Sequence, residues 1–562
     1  MSSSEPLPPR PGGLPELLRR PAVEAALVGF ALAAIHALVR MSGALAVGSF
    51  NDDGVYAALG KSIAEGTGYR SIYTPGDPVH LKYPPGLPLV LAVLWKIGGD
   101  LNAVTGLHGV LTLAVVGLAS ACLWWLARHE LKLAVPLAIV FVLGPFLLEG
   151  PIQYYHLVLT ESYFVALWAA SLVAYAILRD RSARGDPRAV TAAVVTGLLI
   201  ATAILFRTQA IVLVPAILGA ALVDRLRRST ISLLAGAALG PVAIWTGIHR
   251  WMVAPDSVTL QPDEAPYTSW LQVSGAGEAL GLAVRSMVFN WTWYWRGFPG
   301  TLVEPWLAGV VLVAVLAILV AWGAAVGVRR QPALALTVAF TIALIALWPW
   351  PQDRFIFGFL PPAALLAGAA LQRALARCAR PVALGSHAAL TVLALLVLAR
   401  QMELRRAAYG QANPRLAIGV QPPGHVLLAN TRYLIGISQW VRANTRPEDR
   451  LLVDSPAAVY LYTGRKAVNA SPGERGVGPS ALDVPARYIA ERVINEGVSI
   501  IVPSAPQLIA GLRAIEERCP GTLAQAGTVD GWTTVNVYRV VGGRECLEEM
   551  ARQGEERRGV AR

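Results

Sequence analysis

The sequence predicts a multi-pass α-helical membrane protein with about eleven spanning helices, interfacial helices in the first outer loop, and a C-terminal extracytoplasmic α/β domain. Three observations predict it. Of 562 residues, 55% are hydrophobic and only 15% charged, too apolar a balance for a soluble chain of this size. Apolar runs of about 18 residues or more recur up to residue 400. Beyond residue 401 these runs give way to short apolar strands alternating with helices.

The spans fall at 23–47, 104–127, 132–149, 161–179, 190–206, 208–224, 231–251, 302–327, 332–349, 357–377 and 382–399. Short basic segments fix their orientation. Arg19 and Arg20, Arg128 and Lys132, "RDRSARGDPR" from Arg179, "DRLRR" from Asp224, Arg329 and Arg330, and Arg373, Arg377 and Arg380 all fall on one side, which is therefore cytoplasmic. The net charge of +12 thus follows membrane topology and not nucleic acid, which is excluded as a partner. The division expected is a disordered cytoplasmic N-terminus (1–22), a transmembrane domain (23–400), an extracytoplasmic α/β domain (401–545) and a disordered tail (546–562).

In the C-terminal region the pattern reads as a helix near 431–444, strands at "RLLVD" and "AVYLYTG", a helix near 484–496, a strand at "SIIVP", a helix near 506–518, and strands near 522–529 and 532–540. Of the four cysteines, Cys122 and Cys378 lie in or at the end of apolar runs, and no Cys-x-x-Cys spacing argues for zinc. Cys519 and Cys546, outside the cytoplasm, either pair in a disulfide or stay free thiols.

The other side collects the isolated charges at membrane level, where charges are costly and mark sites. "SFNDDGVYAALGKSIAEG" places Asp52 and Asp53 where the chain leaves the first span. Either can cap a short helix, but one suffices for that, and a second carboxylate at the interface suits a general base acting on a hydroxyl. "HLKYPPGLPLVLAVLW" follows, in which Pro84 and Pro85 start an apolar helix too short to span, with His80 and Lys82 at headgroup level. Lys82 either binds a phosphate or snorkels to phospholipid. Glu161 in "TES" is a cap or a site residue. Arg207 in "FRTQ" and Arg354 in "QDRF" oppose the positive-inside bias and are candidate anion ligands or carboxylate partners. The aromatic loop "NWTWYWRGFPG" from Asn290 reads as a headgroup belt or a lipid or sugar platform, and Asn290-Trp-Thr matches a glycosylation pattern. No P-loop, His-Glu-x-x-His or Gly-x-Ser-x-Gly elbow is present.

With "DDGVY", "YPPGLP", "TESYF", "FRTQ" and "QDRFIFGFLPP" in this order, and "WVRANTRPEDRLLVDSPAAVYLYTGR" in the C-terminal domain, the chain resembles the GT-C superfamily of integral-membrane glycosyltransferases over residues 23–540. The nearest groups are bacterial relatives of protein O-mannosyltransferases, the lipid A aminoarabinose transferase and the rhizobial lipopolysaccharide core transferases. The resemblance implies a multi-pass protein of the bacterial cytoplasmic membrane. It also implies a polyprenyl-phosphate sugar donor, an envelope acceptor such as lipopolysaccharide, and inverting transfer. Asp52 or Asp53 would be the base, with Asp52 favoured. Arg354, Arg207 and Lys82 would neutralise the donor phosphate, and Glu161, Tyr56, Tyr83 and His80 would support the substrates. The chain departs from these relatives in having Asp-Asp where many have Asp-Glu. It also has Tyr83, not a lysine, directly before the Pro-Pro. No motif requires a cofactor, and a divalent cation on Asp52, Asp53 and Glu161 is left open. A lipid or glycan transporter would show internal repeats and broken helices, and none is apparent. A non-catalytic scaffold would have no need of the acidic pair.

Overall fold

A computed structural model describes residues 15–41, 47–148, 154–252, 276–302, 306–327, 330–348, 353–378, scattered residues between 385 and 399, and then 426–470, 483–503, 506–530 and 534–560. The first part is a helical bundle: α1 (Pro15–Met41), α2 (Asp52–Ala64), α3 (Gly86–Gly98), α4 (Leu101–Glu130), α5 (Val135–Leu147), α6 (Glu161–Ala183), α7 (Ala189–Phe206), α8 (Leu213–Val223), α9 (Arg228–Met252), α10 (Ala276–Leu302), α11 (Trp306–Gly327), α12 (Pro332–Leu347) and α13 (Asp353–Leu375). Among the described residues, α4, α6, α7, α9 and the stretch Pro21–Leu38 of α1 are long and apolar enough to cross a membrane. Shorter apolar helices stand where most of the other spans are expected. The span expected at 382–399 lies outside the continuously described residues.

Small residues let these helices close on one another, as packing without a hydrophobic driving force requires. A β-carbon on Gly29 of α1 would stand 2.6 Å from the Gly117 carbonyl of α4, and one on Gly323 of α11 would stand 2.1 Å from the Leu366 carbonyl of α13. Pro85 precedes α3 and Gly99 closes it in the left-handed region, so this helix stops at thirteen residues and does not span.

Several expectations are corrected. Within the N-terminal segment expected to be disordered, α1 begins at Pro15, an imino acid that a helix start tolerates because the amide there has no partner to lose. The aromatic segment from Asn290 is not a loop but the second half of α10. Asn290 is no glycosylation site in this arrangement. It is fully buried, and its amide is shared among the carbonyls of Ile345, Ala346 and Trp348 at the end of α12.

The C-terminal part carries a five-stranded sheet of order β2-β1-β3-β5-β4, with β1 (Leu451–Val453), β2 (Ala467–Asn469), β3 (Ile500–Ile501), β4 (Leu523–Asp530) and β5 (Thr534–Val540). The first three strands are parallel, and β5 runs antiparallel to both β3 and β4. Alternation along β1 separates two cores. Leu452 faces α16 (Asp483–Glu496), α17 (Pro506–Arg518) and α18 (Arg544–Val560), while Leu451 and Val453 face α14 (Val426–Asn444) and α15 (Pro456–Thr463). "AVYLYTG", expected as a strand, is therefore helix α15, with Pro456 in its first turn and Gly464 in the left-handed region at its end. The expected disordered tail is largely α18, whose Leu547 and Met550 are buried in the first of these cores. Cys519 and Cys546 are joined in a disulfide with Cα atoms 5.9 Å apart.

Candidate active site

The first loop and the C-terminal domain meet as one packed unit. α15 lies across the start of α2: Ala458 stands where β-carbons on Gly48 and Gly54 would fall, at 2.1 and 3.3 Å. The Ala467 amide of β2 donates to the Tyr73 carbonyl, and Lys466 pairs with Asp77 at 2.6 Å. Below, a β-carbon on Gly86 would meet the Phe206 ring and the Leu205 carbonyl at the end of α7, so α3 rests directly on the "FRTQ" turn. The start of α2, the Pro-Pro wedge and the Arg207 turn are thus held together by close backbone contacts.

Asp52 opens α2 and holds two partners. Its Oδ1 accepts from the Tyr83 hydroxyl at 2.7 Å, and its Oδ2 pairs with Arg354 Nη2 at 2.7 Å. Burial pushes this carboxyl up, but the charges of Arg354 and Lys82 and the bonds from Tyr83 and Arg354 outweigh it, and the net shift is downward. Asp53 is different. It is fully buried, and burial raises its carboxyl to about 7 although the amides of Gly48, Phe50 and Gly54 oppose the shift. The side chain of Asn51, the N-cap position, makes no capping bond, so Asp53 supplies the local amide acceptor at this helix start and Asp52 faces outward to the cluster.

Arg354 lies 4.7 Å over the Phe50 ring and extends Nη1 to within 3.7 Å of Glu161 Oε1. The same oxygen receives Arg207 Nη1 at 2.7 Å. Arg207 also donates to Thr160 at 3.0 Å and to Gln209 at 2.6 Å. Glu161, expected as a cap or site residue, is thus a buried counter-ion at the start of α6. Asp52, Arg354, Glu161 and Arg207, drawn from four elements, form one alternating chain of charge.

The aromatic residues line up behind it. His80 stacks on Tyr83 with ring centroids 5.2 Å apart, and Tyr56 lies 4.9 Å from Tyr83 on another side. His80 is buried within the protein and bonded to Ser71, so it supports Tyr83. Lys82 is half-buried with its Nζ 5.3 Å over the Tyr83 ring. Among the described residues no three His, Cys, Asp or Glu side chains group around a metal position. Arg354 lies between Asp52 and Glu161, within ion-pair distance of both.

The sequence signalled each of these charges, but not Thr160, Gln209, Phe50 or Phe355, the groups that orient them. It also passed over a second, partly buried cluster at the far end of α6. There Glu130 pairs with Arg179 at 2.8 Å, and Tyr175 donates to Asp224. In the sequence Arg179 marks only sidedness.

This arrangement is shared with solved structures, and the likeness is one of fold. The chain superposes on the apo oligosaccharyltransferase of Archaeoglobus fulgidus with a TM-score of 0.50 at 14% identity, covering 91% of this chain and 74% of the other. It is also similar to ArnT from Cupriavidus metallidurans, solved with undecaprenyl phosphate, with a TM-score of 0.48 at 13% identity over 93% of this chain and 98% of that one. No protein-family model and no curated protein matches the chain.

Proposed function

We propose that this protein is an inverting glycosyltransferase that moves a sugar from a polyprenyl-phosphate donor to an acceptor hydroxyl on the outer face of the bacterial cytoplasmic membrane. The acceptor is an envelope glycan, lipid or protein. On this reading the N-terminus is cytoplasmic, and the α/β domain and first loop lie outside. The observation that carries it is the Asp52 carboxylate held between the Tyr83 hydroxyl and the Arg354 guanidinium beside Lys82, on a short helix flanking the bundle.

The chemistry follows from the charges. An acceptor oxygen attacks the anomeric carbon as the bond from that carbon to the phosphate oxygen breaks. The hydroxyl proton passes to Asp52, which is already a carboxylate. The negative charge developing on the leaving polyprenyl phosphate is met by Arg354 and Lys82, with no reorganisation beyond the movement of two side chains. A single base and a direct displacement give inversion. Asp53, buried away from the cluster, has a structural part in this scheme.

The test is the protein in lipid nanodiscs with a panel of radiolabelled polyprenyl-phosphate sugars, read as release of polyprenyl phosphate. Wild type is expected to cleave at least one donor, Asp52→Asn none, and Asp53→Asn to retain turnover. If Asp52→Asn cleaves as fast as wild type, the base is assigned wrongly.

A further inference from the structure

Glu161 is shared by two guanidinium groups at unequal distance, 2.7 Å to Arg207 and 3.7 Å to Arg354. Arg354 makes its shorter contact, 2.7 Å, with Asp52. Arg207 is fixed on several sides: Nε on Gln209, Nη1 on Thr160 and Glu161, and its guanidinium over the rings of Phe355 and Phe164 at 5.2 and 6.0 Å. These contacts all direct Arg207 into the protein. Arg354 also lies over the rings of Phe50 and Phe355, at 4.7 and 5.9 Å, but its second ionic contact is the longer one, and its nearer ionic neighbour, Asp52, is a group that the reaction itself must free.

We propose that Arg207 is a positioning residue and not a phosphate ligand: by neutralising Glu161 it lets Arg354 exchange Asp52 for the phosphate of the lipid donor. This rests on the glycosyl-transfer reading. Before the donor arrives, Asp52 and Glu161 are balanced by Arg354 and Arg207. A phosphate entering beside Lys82 competes with Asp52 for Arg354. When it wins, Asp52 loses its counter-ion and becomes a stronger base, so the base is armed only when the leaving group is in place. Without Arg207, Glu161 would be a bare buried carboxylate, which is costly. It would draw Arg354 onto itself and away from both Asp52 and the phosphate.

The test is a double-mutant cycle on the full chain in nanodiscs, with wild type, Glu161→Gln, Arg207→Gln and the double variant. The readouts are affinity for undecaprenyl phosphate, and kcat and KM for a donor that wild type cleaves. Arg207→Gln is expected to weaken lipid binding about tenfold or more, a loss of ~1.4 kcal/mol or more. The double variant is expected to recover most of that loss, because the capturing charge is gone. A purely structural ion pair would show the same rescue, since the double variant leaves no buried charge unpaired, so the discriminating readout is the single Glu161→Gln variant. Glu161→Gln alone is expected to bind the lipid more tightly than wild type, and this variant judges the idea even if Arg207→Gln does not fold. Equal losses from Arg207→Gln with and without Glu161, or weaker binding by Glu161→Gln, overturn the inference while leaving the glycosyl-transfer reading intact. A wild type that neither binds the lipid nor cleaves any donor overturns the reading, and the inference with it.

Discussion

Asp52 and Arg354, distant in the chain, meet at 2.7 Å with the Arg354 guanidinium lying over Phe50. Both ions are largely buried, so each is the other's main compensation for lost water. Removing one leaves the other exposed to the full cost. Arg354→Gln is expected to lower donor cleavage about 100-fold and stability by about 3 kcal/mol. Arg354→Lys keeps the charge but not the two-pronged fork that reaches Asp52 and Glu161 together, and should recover only part of both. Donor cleavage and thermal unfolding of the purified variants check this. An Arg354→Gln protein as active as wild type contradicts the phosphate role.

Tyr83→Phe removes the hydroxyl that donates to Asp52 and keeps the ring that His80 and Tyr56 pack against. That bond is one of the forces holding the Asp52 carboxyl down. Its loss therefore raises the Asp52 value. The acidic limb of the profile of kcat against pH, which reports deprotonation of the base, should move to higher pH. The variant should keep most of its rate well above neutrality. An unmoved acidic limb would show that Asp52 is not the group being titrated.

Asp53 gives a stability signature of opposite sign. Burial raises its folded value to about 7, above the ordinary 3.8. A group raised in the fold binds more protons folded than unfolded, so its contribution is complete below about 3.8 and falls as pH rises to about 7. Asp53→Asn cannot ionise and still accepts from the Phe50 and Gly54 amides. Its thermal midpoint should therefore fall less than that of wild type between pH 4 and 7. Parallel curves for the two proteins would place Asp53 in water, against its burial.

The charged positions of the site were legible in the sequence because a charge in an apolar context is conspicuous, and Asp52, Glu161, Arg207 and Arg354 each stood out alone. Their pairing was not legible. Nothing in "FRTQ" tells that Arg207 serves Glu161, since the contact depends on how α6 and α7 pack. Helix α15 reads as a strand in the sequence because Val459, Tyr460 and Tyr462 favour strands, as β-branched and aromatic residues do. Pro456 in the first turn, Gly464 at the C-cap, and the fit of Ala457 and Ala458 against the first loop decide for helix. The aromatic half of α10 was misread for a similar reason: Asn290 and the glycines resemble a loop until the buried Asn290 amide is seen closing the end of α12.

The disulfide joins the end of α17 to the start of α18, closing a loop of 27 residues. Cys519→Ser with Cys546→Ser is expected to cost about 2–4 kcal/mol in the C-terminal domain. The bond lies in the core on the far side of the sheet from α15, so donor cleavage should persist below the lowered unfolding temperature. Loss of turnover without unfolding would mean that the far face of the sheet also sets the site.

The near face is the sharper case. Ala458 of α15 fills the space beside Gly48 and Gly54, and Gly48 has φ +97°, a conformation that L side chains avoid. Any enlargement here pushes α15 off the start of α2, the helix that carries both carboxylates. Ala458→Leu should cost about 1–3 kcal/mol through overpacking. It should also depress donor cleavage far more than that loss of folded protein explains, because Asp52 is displaced from Arg354. Ala458→Gly opens space without a clash and should keep the rate within a few-fold. Cleavage measured well below each variant's unfolding midpoint separates the two effects. If Ala458→Leu stays fully active there, the C-terminal domain does not position the base, and its docking on the first loop serves stability alone.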